Sequence, residues 1–114
     1  MRLVIIESPF AGKTDQETEE NIRYARLCMA DCFRRGEAPF ASHLLYTQPG
    51  ILDDKVPEER KLGIEAGFVW GDKGDLRVVY TDRGMSPGME QGIRRAAQIG
   101  QDVETRRLWD YIPK

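Results

Sequence analysis

Glu90 lies one turn into the segment Ser86-Pro87-Gly88-Met89-Glu90-Gln91-Gly92. Ser86 suits a helix N-cap and Pro87 the first helical position. Gly84 and Gly88 leave the backbone open to a ligand. A carboxylate held there can attack an anomeric carbon, form a glycosyl ester and expel a nucleobase. The plainer alternative is that Glu90 only complements the helix dipole on a solvated face. Asp82 opens the loop ahead of this segment. His43, the one histidine of the chain, could hydrogen-bond a base or phosphate, or act as an acid near neutral pH, or be an ordinary surface histidine. The turn Ser8-Pro9-Phe10-Ala11-Gly12 permits close backbone approach, and free N–H groups ahead of the helix after it would favour an anion. Otherwise it is a simple βα turn. Phe10 and Tyr46 offer rings that could stack on a base, or that pack the loops onto the sheet edge.

The elements that must position these residues alternate. Leu3-Val4-Ile5-Ile6 is a continuous apolar run that predicts a strand over 2–7, buried on both faces. Thr14 and Glu17 have capping-box spacing. Ile22, Ala25, Cys28, Met29, Cys32 and Phe33 then recur at helical intervals, so a helix is predicted over about 15–35, with Gly36 at its end. Ala38-Pro39-Phe40-Ala41 reads as a short strand, and Pro39 places it at an edge. A long polar loop follows over 42–56. Pro57, Glu58 and Glu59 start a helix that runs to Gly71. Residues 75–81 predict a third strand. Ser86 to Gly100 predicts a helix whose apolar face is Ile93, Ala96, Ala97 and Ile99, and 102–106 a fourth strand. A β-α-β-α-β-α-β order implies a three-layer Rossmann-like α/β fold, with a parallel sheet in the order 2-1-3-4 and helices on both faces. In such a sheet ligands bind where the order reverses, outside the carboxyl ends of strands one and three. The loops carrying Ser8, His43 and Ser86 should converge there.

Composition narrows the partners. The chain has 114 residues, room for one domain, with a formal net charge of -2. No basic block stands out, so duplex nucleic acid is not an expected partner. No apolar run reaches bilayer length and no signal peptide opens the chain, so a cytoplasmic protein without membrane contact is expected. Cys28 and Cys32 sit four apart on a helix and read as core thiols rather than a disulfide. With a single histidine, no metal site is expected, and no cofactor. Asp53-Asp54 more simply serves the start of the second helix than a cation. Trp70 is expected in the core or at an interface.

Gly88-Met89-Glu90-Gln91-Gly92, after a strand and an acidic loop, resembles the nucleophile segment of the nucleoside 2-deoxyribosyltransferases. Ser8-Pro9-Phe10-Ala11-Gly12 resembles the first-strand ending of their phage and prophage relatives of unknown function. The resemblance implies a Rossmann-like fold, a homo-oligomer, and a site for a nucleoside or its phosphate. It implies Glu90 as nucleophile, Asp82 as a residue that contacts or protonates the base, and Ser86 and Gly88 at the sugar or phosphate. The expected catalytic set is Glu90, Asp82 and His43. The expected binding set is Ser8, Pro9, Phe10, Ala11, Gly12, Tyr46, Ser86, Gly88 and Met89. Three functions stay open: cleavage or transfer at an N-glycosidic bond, non-catalytic sensing or sequestering of a nucleotide-derived signal, and an oligomeric interaction module with a vestigial pocket. Residues 1–107 are expected to form the domain, and 108–114 a tail docked on it or on a partner subunit.

Overall fold

The apolar run near the N-terminus forms β1 (Leu3–Glu7), with Val4, Ile5 and Ile6 buried. The computed structural model describes residues 1–108 and 111. After β1 come α1 (Asp15–Arg34), β2 (Ala38–Phe40), α2 (Ser42–Leu45), α3 (Pro57–Gly71), β3 (Leu76–Tyr80), α4 (Pro87–Ile99) and β4 (Asp102–Arg106). The four strands form one parallel sheet in the order β2-β1-β3-β4. This is the predicted Rossmann-like arrangement, and Glu7 at the end of β1 stands beside Val79 near the end of β3.

Strand parity divides the two faces. Val4, Ile6, Val78 and Tyr80 point toward α1, where they bury Tyr24, Cys28 and Cys32 in the main core with Ala41, Leu76 and Leu108. Both cysteines are free thiols. Ile5, Glu7, Arg77 and Val79 take the opposite face, against the end of α3 and the start of α4. There a Cβ on Gly71 would lie 3.7 Å from Ile5, and one on Gly92 would collide with Glu7.

The helix ends follow their sequence signals. The Thr14 hydroxyl accepts from the Glu17 N–H at 3.1 Å, while the Glu17 carboxylate reaches back to the Lys13 N–H at 3.4 Å. Ser86 accepts from the Met89 N–H, and Gly100 closes α4 with φ 71°. Two expectations need correction. Residues 42–56 are not all loop: the Ala41 carbonyl accepts from the N–H groups of Leu44 and Leu45, and Leu44 packs on the core, which winds the first residues into α2. The inward face of α4 is Met89, Gly92 and Ala96; Ala97 and Ile99 are exposed. The 3.6-residue period that runs from Met89 turns 97 outward, and Ile99 is the last residue of the helix.

Leu108 is buried, and its N–H donates to Asp82 Oδ2 at 2.9 Å. The Tyr111 ring meets Tyr24 edge-on at 4.8 Å. Trp109 and Ile112 lie outside the described residues. Trp70 is 56% exposed, with its ring 5.9 Å from Phe40, and so is not core. No helix among the described residues is long and apolar enough to cross a membrane.

Candidate functional site

A cleft of about 490 Å³ opens where the sheet order reverses. Glu7, Ser8, Phe10 and Ala11 form one wall, Ser86, Gly88, Met89 and Gly92 the other, and Ser42, His43, Arg60 and Ile64 close the side. A larger groove of about 770 Å³ runs outward between loop 10–15 and loop 47–55, and shares Phe10 and Ala11 with the cleft.

Local folding explains who faces the cleft. α1 ties the loops together: Asn21 donates to the Phe10 carbonyl and accepts from Arg83, which also donates to Tyr111 and pairs with Glu20. His43 sits on α2, with its Nε2 2.8 Å from Ser8 Oγ and its own carbonyl accepting from Thr47. The Phe10 ring meets the imidazole edge-on at 6.0 Å. Burial pulls the His43 imidazole down to about 4, so it is neutral at physiological pH. That removes the acid role expected for it near pH 7 and leaves a hydrogen-bonding one.

Several sequence candidates do not reach the cleft. Asp82 takes hydrogen bonds from the Tyr24 hydroxyl at 2.6 Å and the Leu108 N–H, and so anchors α1 and the tail. Glu90 is exposed and absent from the cleft lining, because Met89 and Gly92 hold the inward face and the next residue is rotated by about 100°. Tyr46 packs on Phe40 at 6.4 Å and lines a small neighbouring pocket instead. Gly12 lines the outer groove, and its N–H donates to Thr18 Oγ1 at 2.9 Å. Neither that N–H nor that of Lys13 is free for an anion. Glycine is required at 12 by α1, since a Cβ would lie 2.6 Å from Glu17 Cβ. Ser8, Phe10, Ala11, Ser86, Gly88 and Met89 do line the cleft, Pro9 is buried beside them, and the Ser86 hydroxyl serves as a helix cap.

A buried ion pair that the sequence patterning of either strand alone does not mark also lines the cleft. Arg77 Nη1 donates to Glu7 Oε2 at 2.5 Å, with Arg77 2% exposed. Gln101 fixes the guanidinium, accepting from Arg77 Nε at 2.9 Å while donating to the carbonyls of Gly71 and Gly74. Burial outweighs Arg77 and raises the Glu7 carboxyl to about 7. A signal existed: one acid and one base interrupt two apolar strands that are adjacent in the expected order, and opposite charges buried on both faces must pair.

The two shifted groups set opposing pH dependences. His43 falls from 6.5 to about 4 on folding, so its contribution is present above 6.5 and lost as pH falls through 4. Glu7 rises from 4.5 to about 7, so its contribution is present below 4.5 and lost as pH rises through 7. Each slope approaches about 1.4 kcal/mol per pH unit, and between the two ordinary values they nearly cancel. Urea midpoints should therefore be nearly flat from pH 5 to 6.5 in the native chain. They should rise with pH in Glu7→Gln and fall in His43→Asn. Parallel profiles for all three proteins would contradict these shifts.

The sheet order and the cleft at its reversal define a Rossmann-like α/β domain. Residues 2–106 match a family described as "Domain of unknown function (DUF7768)", and the chain belongs to that family. No curated protein matches the sequence. Among solved structures, the fold is similar to that of 2-deoxyribosyltransferase from the psychrotolerant bacterium Bacillus psychrosaccharolyticus. The TM-score is 0.63 at 15% identity, covering 97% of this chain and 77% of that one. It is also similar to the Clostridium botulinum CMP N-glycosidase BcmB, with TM-score 0.52 at 13% identity over 93% and 71% of the two chains. At these identities the likeness is one of fold.

Proposed function

We propose that this protein binds a nucleoside or nucleoside monophosphate in the cleft between β1 and α4 and acts at its N-glycosidic bond. The cleft itself carries the reading. It lies at the sheet's reversal point, has a volume suited to a small ligand, and combines an ionisable carboxyl, the Ser8–His43 pair and the open backbone of Gly88. The fold shared with a 2-deoxyribosyltransferase and a CMP N-glycosidase supports that ligand class. A non-catalytic binder is the second reading. The exposure of Glu90 and the structural engagement of Asp82 favour it, because two of the three residues expected to do chemistry stand outside the cleft.

Thermal unfolding with a panel of nucleosides and their monophosphates tests the site. A ligand at 100 times its Kd should stabilise the fold by about 2.7 kcal/mol, a rise of several degrees in Tm. Chromatography of the same mixtures for free base separates the two readings. A panel in which nothing raises Tm would refute both.

A further inference from the structure

Among the described residues, two carboxylates line the cleft, Glu7 and Asp54. Asp54 belongs to the loop ahead of α3. Glu7 ends β1 against α4, where Gly92 makes space for it: a Cβ at 92 would lie 2.2 Å from Glu7 Oε2 and 2.7 Å from Oε1. Arg77 holds Oε2, Oε1 has no hydrogen-bond partner among the described residues, and the side chain is 16% exposed. The carboxylate is thus fixed by one oxygen and keeps the other for a ligand.

Resting on the nucleoside reading of this cleft, we propose that Glu7 is its general acid, giving its proton to the nucleobase as the base departs. The C1′–N bond breaks and its electron pair goes to the base, which takes the Glu7 proton. A water oxygen bonds to C1′, and the proton that water releases restores the Glu7 carboxyl. The sum is nucleoside plus water giving sugar and free base. A carboxyl titrating near 7 is suited to this exchange, as an ordinary one at 4.5 is not. His43, neutral above about pH 4, has no proton to give there.

The charged and titratable groups around Glu7 are Arg77 on β3, His43 on α2, Asp54 ahead of α3, Arg60 on α3 and Arg94 on α4. Of these groups Glu7 is the carboxyl that burial raises to about 7, and burial keeps His43 neutral above about 4, so the alkaline limb of activity is assigned to Glu7.

The experiment measures base release from ribo- and deoxyribonucleoside monophosphates against pH, using the full chain. Release should fall tenfold per pH unit above about 7. Glu7→Gln should lower it by at least about 100-fold while the same nucleotide still raises Tm. Arg77→Met should move the alkaline limb to higher pH, because Arg77 favours the ionised carboxylate; a merely structural role would lower the rate without moving the limb. Should Glu7→Gln fail to fold, the native limb and its displacement in Arg77→Met decide. A Glu7→Gln protein with native rate and limb overturns the proposal. Nucleotide-stabilised native protein that frees no base overturns the role of Glu7 and leaves binding intact. If no nucleotide stabilises the chain, the binding reading falls with it.

Discussion

Glu37→Gln is expected to cost about 3–5 kcal/mol of stability, read as a lowered urea midpoint at pH 7. Glu37 and Arg106 form a two-pronged pair, Nη1 to Oε1 and Nη2 to Oε2, both at 2.7 Å. Glu37 is 6% exposed and Arg106 5%. The guanidinium also donates to the Tyr80 hydroxyl at 3.4 Å and pairs with Glu104. Removing Glu37 strips both Nη donors of their carboxylate and leaves the buried guanidinium only Tyr80 and the half-exposed Glu104, which costs more than the pair contributes over an apolar substitute. A double change, Glu37→Gln with Arg106→Met, should therefore recover much of the loss. Arg106 holds the Glu37 carboxyl below the ordinary 4.5. The contribution is full above 4.5 and disappears as pH falls through the lowered value. The native chain should lose more stability than Glu37→Gln as the solution is acidified below pH 4.5. A single-variant cost under about 1 kcal/mol would mean that water reaches the pair.

The second large effect is at Gly92. Its Cβ position lies 2.2 Å from Glu7 Oε2 and 2.4 Å from Cδ, so Gly92→Ala must displace the carboxylate. The tip of a glutamate moves easily in open solution, but here it is held by Arg77, itself 2% exposed. Moving it breaks the ion pair inside the fold. We expect a loss of about 1–3 kcal/mol, together with loss of base release that depends on the placed carboxyl. Gly88→Ala is the contrast. A Cβ there meets nothing nearer than Ser86 Oγ at 4.0 Å, so stability should stay within about 0.5 kcal/mol. Equal stability losses in the two variants would show that Gly92 serves the helix and not the carboxylate.

These two cases show how far the sequence alone could be read. Element order, sheet order and the position of the cleft follow from alternation, capping residues and the reversal of strand order, and these signals are local. Ser8, Ser86 and Gly88 were placed by topology and do face one another. Position one turn into a helix and likeness to a motif both point to Glu90, yet Met89 as the buried knob of α4 turns its neighbour outward by simple helical rotation. Asp82 needed knowledge of which face of α1 carries Tyr24, a tertiary fact. Glu7 closes an apolar strand with nothing nearby to mark it, because its partner stands 70 positions along the chain. Non-local pairing of charges is what single-strand patterning does not encode, and the site's chemistry depends on it.

The two margins of the sheet carry a further consequence. At one side β2 has only three residues, and Pro39 among them offers no N–H. At the other, β4 exposes four of its five residues, with Asp102 and Glu104 among them. A strand arriving from another molecule would meet a missing donor on the first side and carboxylates on the second. The same residues that end the sheet thus guard it against templated growth, and its width is set at four by its borders.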